Sequence, residues 1–459
     1  MDKIKEYAGR FAAAIGDDEV LFSHDDLAIY DHDNKVTGIA PSLVLRPGST
    51  QDVQAIMKIC YENRLPILPR GAGTGNVGGA VCVSPAVVLD LTRMNRIISL
   101  DAISMTVRVE AGLVTAALQN TVEKSGLFYP PDPASADECT IGGNAATNAG
   151  GLRAVKYGVT GDYVLGLQGV LADGRLLSTG AATRKGVVGY DLTSLFVGSE
   201  GTLGIICELT LRLTRKPESR RTMIASFGDL RHCAKGIEVV LQSPVLPAAL
   251  ELVDKQSVAA AEQVSFRPLG IDAPFLLIEL DGRKDVVDEE TAMLDALLKA
   301  IGAKTRVAVD DRQTKNIWDA RRVISTALKK VAPKKVAEDI AVPISKLADA
   351  IEGITKLAST LGLRHAVYGH AGDGNLHVNV LFDPDEPGVS SKVEQFRSRL
   401  FDLTLELNGT ISGEHGIGIA KRPFIARELS AVSLEMHKAL KKQFDSRGIL
   451  NPGKIWPAD

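Results

Sequence analysis

With 459 residues, 45% of them hydrophobic, the chain is long enough for two or three domains with their own cores. Lys and Arg number 53 against 56 Asp and Glu, and the net charge of −3 excludes the basic footprint of a nucleic-acid or anionic-membrane binder. Cys60, Cys82, Cys139, Cys207 and Cys233 have no metal or redox spacing. That argues against an iron–sulfur cluster or a disulfide framework and suits a reduced, cytoplasmic protein. No apolar run approaches the ~20 residues of a membrane span. The charged opening Met1-Asp-Lys-Ile-Lys-Glu-Tyr has no apolar segment behind it, so no signal peptide is expected.

Residues 3–16 and 25–31 read as short helices of an N-terminal arm. A strand begins at Leu43-Val-Leu-Arg, and Ser49-Thr-Gln-Asp-Val opens a helix with a capping pattern and helical apolar spacing. Strands at Pro66–Arg70 and Ala86–Leu91 complete a βαβ unit with a glycine loop at its exit. A strand from Thr106 and a helix over 114–125 repeat the idea, and several strands follow between 164 and 215. Lys216-Pro-Glu-Ser marks a boundary. Beyond it, strands at Thr222, Ala248 and Pro274 alternate with helices over 229–243, 254–263 and 284–301, giving an α+β domain with a largely antiparallel sheet. A strand at Ala337–Pro343, a helix over 344–361 and strands over 364–370 and 377–382 continue it. A last helix near 432–446 leads to Asn451-Pro-Gly-Lys-Ile-Trp-Pro.

Three runs of small residues stand out. Pro69-Arg-Gly-Ala-Gly-Thr-Gly-Asn-Val-Gly-Gly-Ala80 follows a strand, where backbone N–H groups can turn toward a pyrophosphate. It is neither a Rossmann fingerprint nor a P-loop, because no long helix opens directly after it and no Gly-Lys-Ser/Thr occurs. Thr140-Ile-Gly-Gly-Asn-Ala-Ala-Thr-Asn-Ala-Gly-Gly-Leu152 is the second run and Val197-Gly-Ser-Glu-Gly-Thr-Leu-Gly-Ile205 the third. Such runs weaken a fold unless a long ligand lies against the backbone, and a large dinucleotide is the natural candidate.

The segment Tyr368-Gly-His-Ala-Gly-Asp-Gly-Asn-Leu-His377 is answered by Ser412-Gly-Glu-His-Gly-Ile-Gly418. Two His and a Glu make a metal-ligand set that leaves positions open, and a further His can move a proton near neutral pH. Strand alternation puts His370 with Tyr368 and His377 with Asn379, and a tight connection can bring the two His together. Two such His also occur as hydrogen-bonded residues at a sheet margin.

Together with His370, His377, Glu414-His415 and Asn451-Pro-Gly-Lys454, the three runs resemble the FAD-dependent D-2-hydroxy-acid dehydrogenases of the vanillyl-alcohol-oxidase/p-cresol-methylhydroxylase (PCMH) superfamily. That group includes D-lactate dehydrogenases, the flavin subunit of glycolate oxidase and D-2-hydroxyglutarate dehydrogenase. The resemblance implies an α+β protein: an arm over 1–35, a PCMH-type FAD-binding domain of two subdomains over 36–217, an antiparallel-sheet cap over 218–425 and a returning segment over 426–459. It implies that Arg70, Gly71, Ala72, Gly73, Thr74, Gly75, Asn76, Gly78 and Gly79 hold the pyrophosphate. Pro131, Thr140, Gly142, Gly143, Asn144, Asn148, Gly151, Glu200, Gly201 and Ile205 would line the flavin, and Asn451 and Lys454 would close its site. His370, His377 and Glu414 match the divalent-metal ligands (Zn or Mn), and His415 the base that takes the hydroxyl proton as hydride leaves for the flavin. Arg321 of Trp318-Asp-Ala-Arg matches the substrate-carboxylate clamp, although Arg322 lies beside it.

Thr74 stands where some relatives link FAD through His, so FAD is expected to be non-covalent. Ala337 replaces a Lys that some relatives use for a second carboxylate, which favours D-lactate or glycolate over D-2-hydroxyglutarate. Rival readings are an alkylglycerone-phosphate-synthase-like flavoenzyme without net redox chemistry and a non-catalytic electron-carrier subunit. With no NAD fingerprint and no cluster ligands, electrons are expected to pass to an iron–sulfur subunit, an electron-transfer flavoprotein, a quinone or a cytochrome. The protein could then lie at the membrane through a partner, and a homodimer is compatible with the pattern.

Overall fold

A computed structural model describes residues 3–183, 185–264 and 269–457. The chain forms two compact units: Met1–Ala149 with Val159–Lys216 and Glu414–Asp459, and Gly150–Gly158 with Pro217–Gly413. The nine-residue excursion 150–158 therefore belongs with the second unit, and the chain re-enters the first unit between Gly413 and Glu414.

The first unit holds two principal sheets. Strands β1 (Val20–Leu21), β2 (Leu43–Leu45), β3 (Ile67–Arg70) and β4 (Val87–Asp90) lie in the order β1-β2-β4-β3, with β2, β4 and β3 parallel. The helix Thr50–Asn63 makes the β2-to-β3 crossover. The Ser49 hydroxyl caps it by accepting from the Asp52 N–H at 3.2 Å. Its apolar stripe, Val53, Ile56, Met57 and Cys60, is fully buried against Leu43, Leu45, Ile67 and Val87. Phe11, on the N-terminal helix Ala8–Ile15, is buried in the same core.

Strands β5 (Ile97–Asp101), β6 (Thr106–Glu110), β8 (Val164–Val170), β9 (Leu176–Gly180) and β10 (Ile205–Arg212) form an antiparallel sheet in the order β5-β6-β10-β8-β9. A short ribbon pairs β7 (Leu127–Phe128) with β11 (Thr214–Arg215). The C-terminal segment runs alongside β3, with the Ile67 N–H donating to the Ile449 carbonyl and the Asn451 N–H to the Ile67 carbonyl.

The second unit is built on one seven-stranded antiparallel sheet: β12 (Ser219–Ser226), β13 (Ala249–Val253), β14 (Phe275–Gly282), β15 (Lys304–Val307), β16 (Lys334–Ala341), β17 (Arg364–His370) and β18 (Asn375–Phe382). Their order is β15-β12-β14-β13-β17-β18-β16. Every residue of β13 and β18 is buried, so these strands are covered on both faces. One face packs under helices Lys255–Val264, Asp311–Arg322 and Ile324–Val331, through Val258, Trp318, Ala327 and Leu328. Helix Val389–Glu406, which the sequence analysis does not anticipate, buries Val393, Phe396, Leu400 and Phe401 and packs against helix Leu347–Leu361.

Candidate active site

In the first unit the glycine loop leaves β3 at Arg70 and is held by polar side chains aimed at its backbone. The Arg70 guanidinium is buried and donates to the carbonyls of Ala80 at 2.8 Å and His32 at 2.9 Å. Asp33 accepts from the Gly78 N–H at 2.7 Å. Burial pushes the Asp33 carboxyl above its ordinary pKa, against the pull of those N–H groups and of Arg70. Asn76 accepts from Asn34 at 2.8 Å.

The Asn451 amide donates to the carbonyls of Gly79 and Glu200 at 3.0 and 2.8 Å. Lys454 donates to the Val81 carbonyl at 2.6 Å, and burial pulls its pKa down to about 8. The buried Glu200 carboxylate accepts from Ile417 and Gly418 N–H groups at 2.7 and 2.8 Å, and burial raises its pKa. Arg70, Glu200, Asn451 and Lys454 are thus braces of the loops that carry them.

The second glycine run folds as the helix Ile141–Thr147, where the sequence analysis expects only a run of small residues. The Thr140 hydroxyl caps it by accepting from the Gly143 N–H at 3.2 Å. Gly142 sits against Ala111, where an added Cβ would come within 2.6 Å of the Ala111 Cβ. Asn144 donates to the Thr115 hydroxyl at 2.7 Å. Asn148 ends the helix in the left-handed region at φ +51°, which Asn tolerates, and accepts from the Gly161 N–H. The Pro131 carbonyl accepts from Gln119. Gly201 turns at φ +70° and Ile205 opens β10. Gly151 lies in the excursion that belongs with the second unit.

This cradle suits a dinucleotide. Gly71, Ala72, Gly73, Thr74 and Gly75 form a loop of small side chains after β3, as a backbone approach to phosphates requires. The buried Ser199 Oγ and Asn451 Oδ1 have no hydrogen-bond partner among the described residues, as expected of groups reserved for a polar ligand.

In the second unit, β17 and β18 form a hairpin closed by Ala371–Gly374, shorter than the sequence suggests because β18 starts at Asn375. Gly374, at φ +85°, makes the turn against the Val342 carbonyl, where a Cβ would collide. The two rings meet as expected: His370 and His377 lie edge-to-face with centroids 5.1 Å apart. His377 is paired across the strands with Tyr368 on one side and Asp339 on the other. His370 is paired with Glu251 of β13.

Glu251 is fully buried and uses both oxygens. Oε1 lies 2.6 Å from His370 Nδ1, and Oε2 lies 2.8 and 2.5 Å from Arg321 Nε and Nη2. Burial works to raise its pKa, but the charges of His370 and Arg321 prevail and hold it below the ordinary carboxylate value. Arg321 also lies over the Tyr368 ring at 4.7 Å. Asp339, likewise fully buried, accepts from Asn375 Nδ2 at 2.6 Å and the Gly413 N–H at 3.0 Å, and lies 3.9 Å from His377 Nδ1. Glu414 and His415 follow Gly413 directly, with Glu414 Oε1 3.9 Å from His415 Nε2.

The sequence pattern does not single out Glu251 and Asp339, whose carboxylates touch His370, Arg321 and His377. The available signal was an acid inside an otherwise apolar strand, as in Ala248-Ala-Leu-Glu-Leu-Val253, which demands a buried partner.

Comparison with known proteins places these features. The family model for the C-terminal domain of FAD linked oxidases matches residues 216–455, and that for an FAD binding domain matches residues 41–180. The chain is 40% identical to the glycolate oxidase subunit GlcD of Bacillus subtilis over 91% of its length and 90% of the relative's. It is 35% identical to the D-lactate dehydrogenase of Anaerostipes hadrus over 99% of its length and 96% of the relative's. Substrate-bound p-cresol methylhydroxylase shares its fold, with a TM-score of 0.81 at 19% identity over 98% of this chain and 96% of that one. The chain is a flavoprotein oxidoreductase that belongs to the FAD-linked oxidase family, among the FAD-dependent D-2-hydroxy-acid dehydrogenases.

Proposed function

We propose that the chain oxidises a small D-2-hydroxy monocarboxylate, D-lactate first and glycolate second, to the 2-keto acid, using non-covalent FAD and a divalent cation. The observation that carries this reading is the arrangement around Arg321. Glu251 occupies the Nε–Nη2 edge of the guanidinium, and the Nη1–Nη2 edge supplies a second two-N–H fork that matches a carboxylate. The same Glu251 orients His370. A carboxylate grip is thereby built beside an imidazole ligand.

His370 and His377, with Glu414, would hold Zn or Mn, since neutral imidazoles and a carboxylate suit either. The buried Asn375 Oδ1 and Asn379 Oδ1, without hydrogen-bond partners among the described residues, fit a polar, occupied site. When bound, the cation supplies Lewis acidity toward the substrate hydroxyl and FAD supplies the acceptor for two electrons. Arg321 binds and orients the carboxylate. His415 takes the hydroxyl proton, leaving the Cα hydrogen to depart with its electron pair. The cofactor residues Arg70–Asn76, Gly78, Gly79, Pro131, Thr140, Gly142–Asn144, Asn148, Gly151, Glu200, Gly201, Ile205, Asn451 and Lys454 would shape the FAD site, chiefly by positioning backbone. Thr74 offers no nitrogen for a flavin link.

Substrate size follows from β16. Ala337 lies across from Asn379, on the face that carries Asp339 and His377, so a methyl group occupies that point. Lys335 is anchored to Ser325, donating to its carbonyl and hydroxyl at 2.8 and 3.0 Å. A monocarboxylate therefore fits better than a dicarboxylate. Electrons then pass to a protein, quinone or cytochrome acceptor. The Bacillus subtilis relative is named as an oxidase subunit, which suits a partner. All five cysteines are free and buried, which suits the cytoplasm. No helix among the described residues is long and apolar enough to cross a membrane.

Anaerobic bleaching of the flavin with D-lactate, L-lactate, glycolate and D-2-hydroxyglutarate tests the reading. D-lactate should reduce it fastest. Reduction by L-lactate alone would refute the stereochemistry, and fastest reduction by D-2-hydroxyglutarate would refute the size argument.

A further inference from the structure

We propose that Glu251 is a positioning residue that sets the metal ligand and the carboxylate clamp together. The proposal rests on the reading above that His370 binds a cation and Arg321 the substrate. With Glu251 Oε1 only 2.6 Å from His370 Nδ1, that nitrogen must carry the proton, because two lone pairs would repel at this distance. The Nε2 lone pair of His370 is then the one presented to a cation. A carboxylate partner of this kind also raises the basicity of the ligating nitrogen and fixes the ring plane.

The other oxygen of Glu251 takes Arg321 Nε and Nη2, fixing the guanidinium plane over Tyr368. Glu251 itself has little freedom. It lies in the middle of β13, paired with Leu277 on one side and His370 on the other, and is fully buried. A carboxylate that only neutralised Arg321 would need one partner. This one divides its oxygens between the ring that would ligate the cation and the guanidinium that would grip the substrate carboxylate. Their separation is thus set by a single side chain, and the spacing of the two recognised groups on a 2-hydroxy acid is built into β13.

The test uses the full-length, FAD-loaded protein and reads metal affinity by chelator competition with Zn²⁺ or Mn²⁺, beside KM and kcat for D-lactate. Glu251→Gln should bind the metal about 10–100-fold more weakly and raise KM, with FAD retained. Glu251→Asp keeps the charge but is one methylene too short to span both partners. It should fall between Glu251→Gln and wild type, and it serves as the probe if the Gln variant does not fold. Metal affinity and KM both within a factor of ~3 of wild type in the folded variant would overturn the proposal. His370→Ala, measured alongside, separates the two levels. If it loses the metal while Glu251→Gln does not, only the role of Glu251 falls. If it binds metal as wild type does, the metal reading itself falls and the proposal with it.

Discussion

At their candidate sites the two units use buried polar side chains differently. In the first, Arg70, Asp33, Glu200, Asn451 and Lys454 spend their hydrogen bonds on backbone carbonyls and N–H groups. In the second, Glu251 bonds to both His370 and Arg321, and Asp339 accepts from Asn375 and from the Gly413 N–H. The difference fits the roles proposed for the two sets of residues. A dinucleotide is long and met by shaped backbone, so side chains brace loops. A small hydroxy acid offers a few polar atoms, each needing a dedicated side chain at a fixed distance. Damage in the first unit should therefore appear as lost FAD, and damage among the bonded side chains of the second as lost rate with FAD retained.

His415 gives the largest effect expected. Although it belongs to the first unit by contact, its proposed role is proton transfer, so His415→Asn should slow flavin reduction by about 10²–10⁴-fold without releasing FAD. A rate within ~3-fold of wild type would move the base elsewhere. Arg321→Met should lower kcat/KM by about 10–100-fold, mainly through KM, again with FAD bound. FAD loss in that variant would break the comparison.

Asn451→Leu should do the reverse. It strips the donor from the Gly79 and Glu200 carbonyls and puts a branched residue at φ +41°. Stability should fall by about 1–3 kcal/mol in thermal melts, FAD should wash out, and added FAD should restore the rate. A slow variant that keeps its FAD would contradict this.

Asp254 sharpens the contrast, because in the second unit it too accepts from backbone N–H groups. It accepts from the Ser257 and Val367 N–H groups, both at 2.7 Å, and burial pushes its pKa up to about 6 from 3.8. The folded state then binds the extra proton between these values, so this group's contribution to stability falls as pH rises through that window and stays low above it. Wild type should lose stability relative to Asp254→Asn from about pH 4 to 6, by on the order of 1–3 kcal/mol, with flavin reduction unaffected. A flat difference across that range would show that Asp254 titrates normally.

Much of this was legible in the sequence because it is local. The capped, periodic helix Thr50–Asn63 and the alternation around His370 and His377 are each set by a few neighbouring residues. Non-local features were not. Glu251 and His370 are 119 residues apart and meet only because β13 lies beside β17, a pairing no local pattern encodes. The helix Ile141–Thr147 was hidden by its glycines, which disfavour helix in isolation and are tolerated here through close packing on Ala111. The helix Val389–Glu406 did carry a legible signal, since Val389, Val393, Phe396 and Leu400 recur at helical spacing.

The most direct measurement is an anaerobic titration of the oxidised protein with D-lactate, following flavin absorbance and pyruvate together. Complete bleaching is expected at one equivalent per FAD, with one pyruvate formed for each flavin reduced. A flavin left oxidised by excess D-lactate and by every other 2-hydroxy acid would contradict it.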